Sequence, residues 1–176
     1  MAITKWAIDP THSEIGFKVK HMMFTNVSGK FDNYEGAIET EENDFTTAKI
    51  SFSADIDSVY TRNADRDNHL KSGDFFDAEN HPKLTFTGKS FAKVNDNKYD
   101  LTGYLTIKGV TKEINLPVEF SGLMQDPWGN TKVGLNIEGK INRKEWGLNW
   151  NSALETGGVL VGEEVKLIID LQLAKA

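Results

Sequence analysis

Asp9, His12 and Ser13 are the residue types of a hydrolase triad, and they crowd into one short stretch. Triad members normally meet in space from separate elements, and no GxSxG elbow is present, so this stretch reads as a turn. The four histidines, His12, His21, His69 and His81, show no HExxH spacing, and no cysteine can join them. No metal site is expected from such a set. Asn63-Ala64-Asp65-Arg66-Asp67-Asn68 begins like a calcium loop. It fails at its sixth position, Asn68 instead of Gly, and at its twelfth, Asp74 instead of Glu. Gly157-Gly158 lacks the Lys-Ser/Thr of a phosphate-cradling loop, and the pairs Glu41-Glu42 and Glu163-Glu164 fall at turns. Aromatic residues remain: 4 Trp, 10 Phe and 4 Tyr, enough to pave an apolar pocket. The residue types favour a binding module over an enzyme.

Charge narrows the partners. Lys plus Arg is 20 against 26 Asp plus Glu, a net of −6. An acidic chain without a basic tract suits neither nucleic acid nor anionic headgroups as a general partner. No run reaches the roughly 20 apolar residues of a spanning helix. No apolar segment of about 7–15 residues follows the start, as a secretory leader requires. The chain as given is expected to be cytoplasmic; a periplasmic protein already relieved of its leader would read identically. At 176 residues it suits a single domain, 1–176.

The elements that position these residues are strands. Ile15, Phe17, Val19 and Met23 share one parity in Glu14–Phe24; Ala48, Ile50, Phe52, Ala54 and Ile56 do so in Ala48–Asp57. Tyr99 to Ile107, Ile114 to Phe120, Val133 to Ile141 and Val165 to Leu173 alternate in the same way. Lys30–Thr40 and Leu84–Val94 are weaker runs that bring the count to about eight. Period two means one wet and one dry face. Turn signals at Glu42-Asn43-Asp44, Asn95-Asp96-Asn97, Gly109 and Asp126–Asn130 make consecutive strands antiparallel. Eight such strands bury their dry face in a sandwich or by closing into a barrel.

Two stretches break the alternation. Thr61–Asp77 is polar and ends in Phe75-Phe76, which predicts a short helix stopped by Gly73, with Leu70 and the phenylalanines against one end of the sheet. Arg143–Gly162 is a long excursion anchored by Trp146 and Trp150. The dry rows also contain small residues, among them Ala48, Ala54, Gly103 and Gly139. These either leave room for a ligand or relieve crowding in a twisted sheet. Phe17, Val19, His21, Phe52, Leu105 and Ile107 share inward parities and are expected to line any cavity.

The string Ile8-Asp9-Pro10-Thr11-His12-Ser13-Glu14-Ile15-Gly16-Phe17-Lys18-Val19-Lys20-His21 resembles the opening of the YceI-like family. In order follow Gly29-Lys30-Phe31, Asp67–Ser72, Asp74–Asp77, Leu101-Thr102-Gly103, Leu105–Thr111, Ile141–Gly147 and Val161–Val165. The resemblance spans about Trp6 to Leu173. It implies an all-β, extended eight-stranded antiparallel lipocalin-like barrel with a short helix in the 62–77 excursion. It also implies a long apolar ligand: a polyisoprenoid, a quinone or its precursor, or a fatty amide. No catalytic residues, metal or cofactor come with it, and a homodimer is implied. Trp146 stands where Phe is common in that family. Phe31, Ala54, Phe86, Gly103, Trp146 and Trp150 join the six parity residues as candidate ligand contacts. The expected function is non-catalytic carriage of a long-chain isoprenoid-type lipid. The alternative is an enzyme acting on a small hydrophobic or lipid substrate, with His21 as its candidate polar group.

Overall fold

The computed structural model describes residues 2–152, 154 and 160–176. Its strands are β1 (Ile3–Ile8), β2 (Glu14–His21), β3 (Thr25–Phe31), β4 (Tyr34–Glu41), β5 (Asp44–Asp55), β6 (Val59–Tyr60), β7 (Lys83–Asn95), β8 (Lys98–Ile107), β9 (Val110–Gln125), β10 (Thr131–Asn142) and β11 (Val161–Lys175), with one helix, α1 (Ala64–Lys71). All pairings are antiparallel. The order β1-β4-β5-β7-β8-β9-β10-β11 returns to β1 through Ile8↔Leu173, which closes an eight-stranded barrel. Closure leaves this ring without free edges.

The chain reaches eight staves by breaking three of them. β1 and β2 lie end to end along the same edge of β11: Ile8 faces Leu173, and Glu14 faces Asp170. Between them Asp9-Pro10-Thr11-His12 makes a single 3-10 turn. The Asp9 amide donates to the Gln172 carbonyl, and Ser13 Oγ accepts from the Gln172 amide at 3.0 Å, so the insert stays stitched to β11. Asp9 caps the turn by accepting from Thr11 at 2.9 Å. The Thr11 hydroxyl, with His12 second, holds the Asp9 carboxyl down at about 2.

Two sequence expectations change, and one strand was not expected. The Glu14–Phe24 strand stops at His21, because Met22–Phe24 turns the chain into β3. The Lys30–Thr40 run bends at Asp32-Asn33, which shifts the buried parity from Phe31 to Ile38 and Thr40. There the chain leaves β2 for β1 as its partner. β1 alternates in burial, with Thr4, Trp6 and Ile8 inward, but exposed Ile3 and Ala7 on its outer face hide that alternation in the sequence.

The interior has a solid end and a hollow end. At the solid end Trp6, Phe45, Phe91, Tyr99 and Phe120 stack ring to ring, with Phe91–Tyr99 at 4.7 Å and Phe45–Phe120 at 5.1 Å between centroids. The Trp6 indole N–H donates to Thr40 Oγ1 at 3.0 Å, so burial leaves no orphan donor. Each aromatic buries far more surface than an aliphatic residue and reaches the barrel axis.

The small inward residues resolve towards relief of crowding. A Cβ on Gly103 would stand 2.3 Å from the Phe86 ring, and one on Gly139 would stand 2.4 Å from Leu116 Cδ2. Large neighbours have folded down over these glycines. Ala54 is fully buried.

α1 begins at Asn63, whose side-chain oxygen accepts from the Arg66 amide at 3.0 Å. It ends at Ser72, whose hydroxyl donates to the His69 carbonyl at 2.6 Å, one residue before the expected stop at Gly73. Buried Asp67 accepts from the Thr61 amide and hydroxyl, which pins the helix to the end of β6. Phe75 is buried, and Phe76 packs at 5.9 Å on Phe31, so the segment covers the hollow end.

This packing has measurable consequences in urea unfolding. Gly103→Ala is expected to lose about 1–3 kcal/mol through overpacking against Phe86. Gly134→Ala, where the new Cβ meets only Ser121 at 3.5 Å, stays within about 0.5 kcal/mol. Phe45→Ala removes the centre of the aromatic plug and loses about 3–5 kcal/mol.

Candidate ligand-binding cavity

The hollow end encloses a cavity of about 560 Å³. That lies within the 300–1,000 Å³ typical of small-molecule sites. Aliphatic side chains from opposed staves make most of the wall, including Val19, Val27, Ile114, Ile141, Val165 and Leu167. An eight-stranded barrel is the size at which inward side chains either fill the interior or leave room for one small ligand, and at this end they leave room.

Phe17, Val19, His21, Phe31, Phe52, Phe86, Leu105, Ile107, Trp146 and Trp150 stand on the cavity wall. Ala54 and Gly103 do not: Ala54 is enclosed in the core, and the Phe86 ring lies over Gly103. Filling the cavity therefore cannot start from either position. Phe17 plays the same part for Gly29, whose Cβ would fall 2.4 Å from the ring. That close approach turns an aromatic ring along the wall.

Most polar groups of the wall gather at one place. Lys20, Asn63 and Asp65 are exposed yet border the cavity, and Thr61, Arg66, His69 and His21 join them. This is the mouth, framed by β2, α1 and the chain after β10. The His69 ring stands edge-on to Trp150 at 4.6 Å and to Phe75 at 5.0 Å, while its Nε2 pairs with Asp74 at 2.9 Å. The Thr61–Asp77 excursion and the aromatic excursion thus meet over the opening.

The 3-10 turn Arg143–Trp146 supplies the most constrained part of the wall. Trp146 is 1% exposed, and its indole N–H donates to the Leu105 carbonyl at 2.9 Å. Gly147 follows at φ 81°, a left-handed position that suits glycine. Arg143 is buried with its guanidinium donating to the carbonyls of Leu148, Trp150, Val161 and Gly162. The Phe75 ring faces it at 5.8 Å. Burial pulls its pKa below the usual arginine value, against a smaller opposing pull from Glu163. A buried cation is costly unless its donors are met, and here backbone carbonyls meet them. Arg143 thereby ties the chain after β10 to the start of β11. Sequence reasoning placed Arg143 in a motif without a role; an arginine close to two tryptophans in the excursion is the signal that was there. Gly157-Gly158 lie outside the described residues.

No catalytic constellation forms on the cavity wall from the sequence candidates. Asp9 and His12 pair at 2.8 Å but stand in the insert between β1 and β2, away from the wall residues. Among the described residues no group of three or more His, Asp or Glu is placed to hold a metal ion. Among them, too, no helix is long and apolar enough to cross a membrane.

Comparison with known proteins agrees with this architecture. A UPF0312 protein of Staphylococcus aureus (strain N315) is 44% identical over 165 residues, which cover 93% of this chain and 94% of that protein. The crystal structure of a Campylobacter jejuni YceI protein is 34% identical, with a TM-score of 0.76 over 89% of each chain. A polyisoprenoid binding domain from Saccharophagus degradans, implicated in plant cell wall breakdown, shares the fold at a TM-score of 0.69 over 97% of this chain and 98% of that one, with 15% identity. The model of the YceI-like domain matches residues 6–173, from the tryptophan of the aromatic plug to the last buried leucine of β11, and the chain belongs to that family.

Proposed function

We propose that the hollow end of the barrel binds one long isoprenoid-type lipid, reversibly and without converting it. The observation that carries this reading is a cavity of about 560 Å³ with aliphatic and aromatic walls, whose polar groups collect mostly at a single mouth. Such a site suits a molecule with a long apolar tail and one polar head. The tail lies along the barrel axis towards the plug, and the head stays at the mouth near His21, Arg66 and His69. The structurally similar Saccharophagus degradans domain, described as polyisoprenoid-binding, supports the ligand class.

Affinity comes from taking the tail out of water. Each buried methylene contributes about 0.8 kcal/mol, which is roughly a fourfold change in Kd. Few hydrogen bonds are needed, so the sparse polar wall fits a carrier. No cofactor enters this scheme.

Titration with a series of prenols and linear alcohols is expected to show Kd falling about fourfold per methylene until the cavity is full, then levelling. Val19 and Val165 face each other across β2 and β11 on the wall. Val19→Phe with Val165→Phe should raise Kd at least about tenfold with the fold retained by circular dichroism, a loss equal to about two buried methylenes. His21→Ala should change Kd less than about threefold, under 1 kcal/mol, if tail burial dominates. Native mass spectrometry after gentle purification, with organic extraction, reads the natural ligand. A protein that is empty and binds none of the series overturns the reading. Conversion of a bound probe, lost in His21→Ala, would make the protein an enzyme instead.

A further inference from the structure

The turn between β2 and β3 is built against ordinary turn chemistry. Met22 and Met23 both have positive φ, 54° and 69°. Gly, Asn and Asp fill such positions in tight hairpins because they tolerate the left-handed region. Here the two methionines are followed by a phenylalanine, and all three side chains face solvent: Met22 is 40% exposed, Met23 60% and Phe24 76%. A soluble surface gains nothing from a run of three exposed apolar side chains on a strained turn.

Its place in the fold is specific. The turn continues directly from Lys20 and His21, which border the cavity mouth. The Met22 amide donates to the Leu160 carbonyl at 2.8 Å, and Leu160 is itself a wall residue. Behind the turn, a row of lysines crosses the outer face of the barrel: Lys140 pairs with Lys166, and Lys166 with Lys18. Among the described residues Lys18, Lys20 and Lys166 enter no ion pair, while Lys140 and Lys144 are held by Glu164 and Glu163. The chain is acidic overall, so this local excess of free cations beside an apolar tip is a departure from its average.

We propose that the Met22–Phe24 turn is a membrane-docking tip, which inserts its three apolar side chains into an anionic phospholipid surface while Lys18 and Lys166 face the headgroups. Charge complementarity selects this occupant: an apolar tip flanked by cations is the arrangement that binds anionic bilayers at their interface. Docking there sets the cavity mouth against the bilayer, so an apolar tail can pass between membrane and barrel with little exposure to water. The proposal rests on the lipid-binding reading for its purpose, but its test does not need a bound lipid.

Flotation of the full chain with vesicles of equal phosphatidylglycerol and phosphatidylcholine, against phosphatidylcholine alone, tests it. Wild type should float with the anionic vesicles, and the bound fraction should fall steeply at 0.5 M NaCl. Met22→Asn with Met23→Gly and Phe24→Ser gives the turn residues that suit its backbone, so the melting temperature should hold or rise. Its vesicle partitioning should fall at least tenfold. Lys18→Glu with Lys166→Glu should remove the preference for phosphatidylglycerol. Titration of both variants with a dansyl-labelled prenol added from ethanol should match wild type. Failure of wild type to float, or equal flotation of the triple variant, overturns the docking proposal and leaves the lipid-binding reading standing. Loss of dimers in the triple variant by light scattering, with no flotation by wild type, would make the tip a self-association surface. Normal flotation with no prenol binding by any form would keep the docking tip and remove the lipid cargo.

Discussion

Side-chain reach across an eight-stranded barrel governs this molecule. A ring of eight staves is about the width at which inward side chains either fill the interior or leave room for one small ligand, so the direction those side chains take decides which occurs. Where Trp6, Phe45, Phe91, Tyr99 and Phe120 project inward, the barrel is solid and its packing resembles any protein core. Where aliphatic side chains share the wall with Phe17, Phe31, Phe52, Phe86, Trp146 and Trp150, the same backbone encloses a cavity. Stability and binding capacity therefore occupy opposite ends of one sheet. The plugged end can hold the fold while the hollow end keeps its cavity.

The mouth follows from how the first three staves are broken. An unbroken barrel would end in short hairpins alone. Instead β2, β3 and β6 extend one side of the wall beyond the closed ring, and α1 with Phe75 and Phe76 packs over the open side. Asp67 fixes the helix to Thr61, and Arg143 fixes the facing excursion to the start of β11. Both anchors are charged side chains whose partners are mostly backbone groups. Such bonds hold chain segments in place without spending the apolar wall on packing. The His69 and Trp150 contact then joins the two covers across the opening.

The glycines on the inward rows show how a sequence pattern can point to the right feature for the wrong reason. Small residues at Gly103 and Gly139 suggest empty space, and the barrel does contain a cavity. Yet Phe86 and Leu116 lie over those positions, and these large neighbours, not the glycines, line the cavity. A missing side chain in a sheet is available to the cross-strand neighbour first. Whether it becomes a void depends on that neighbour's rotamer, which one sequence does not state.

What the sequence determined by itself is what depends on local order: period-two alternation, turn residues and the polar break at 61–77. From these came the strands, their antiparallel sense, the short helix and the inward placement of Phe17, Val19, His21, Phe52, Leu105 and Ile107. The ordered motifs from Ile8 to Val165 singled out the family. Tertiary structure alone decided the rest. The bend at Asp32-Asn33 and the end-to-end placement of β1 and β2 around the expected Asp9–His12 turn are defined by the partner strand, because register is a relation between two segments. The roles of Arg143 and Trp146 depend on carbonyls contributed by distant elements. The division into a solid and a hollow end depends on which side chains from opposite staves arrive at the same level of the axis. That is set when Ile8 meets Leu173 and the sheet closes, and no local pattern carries it.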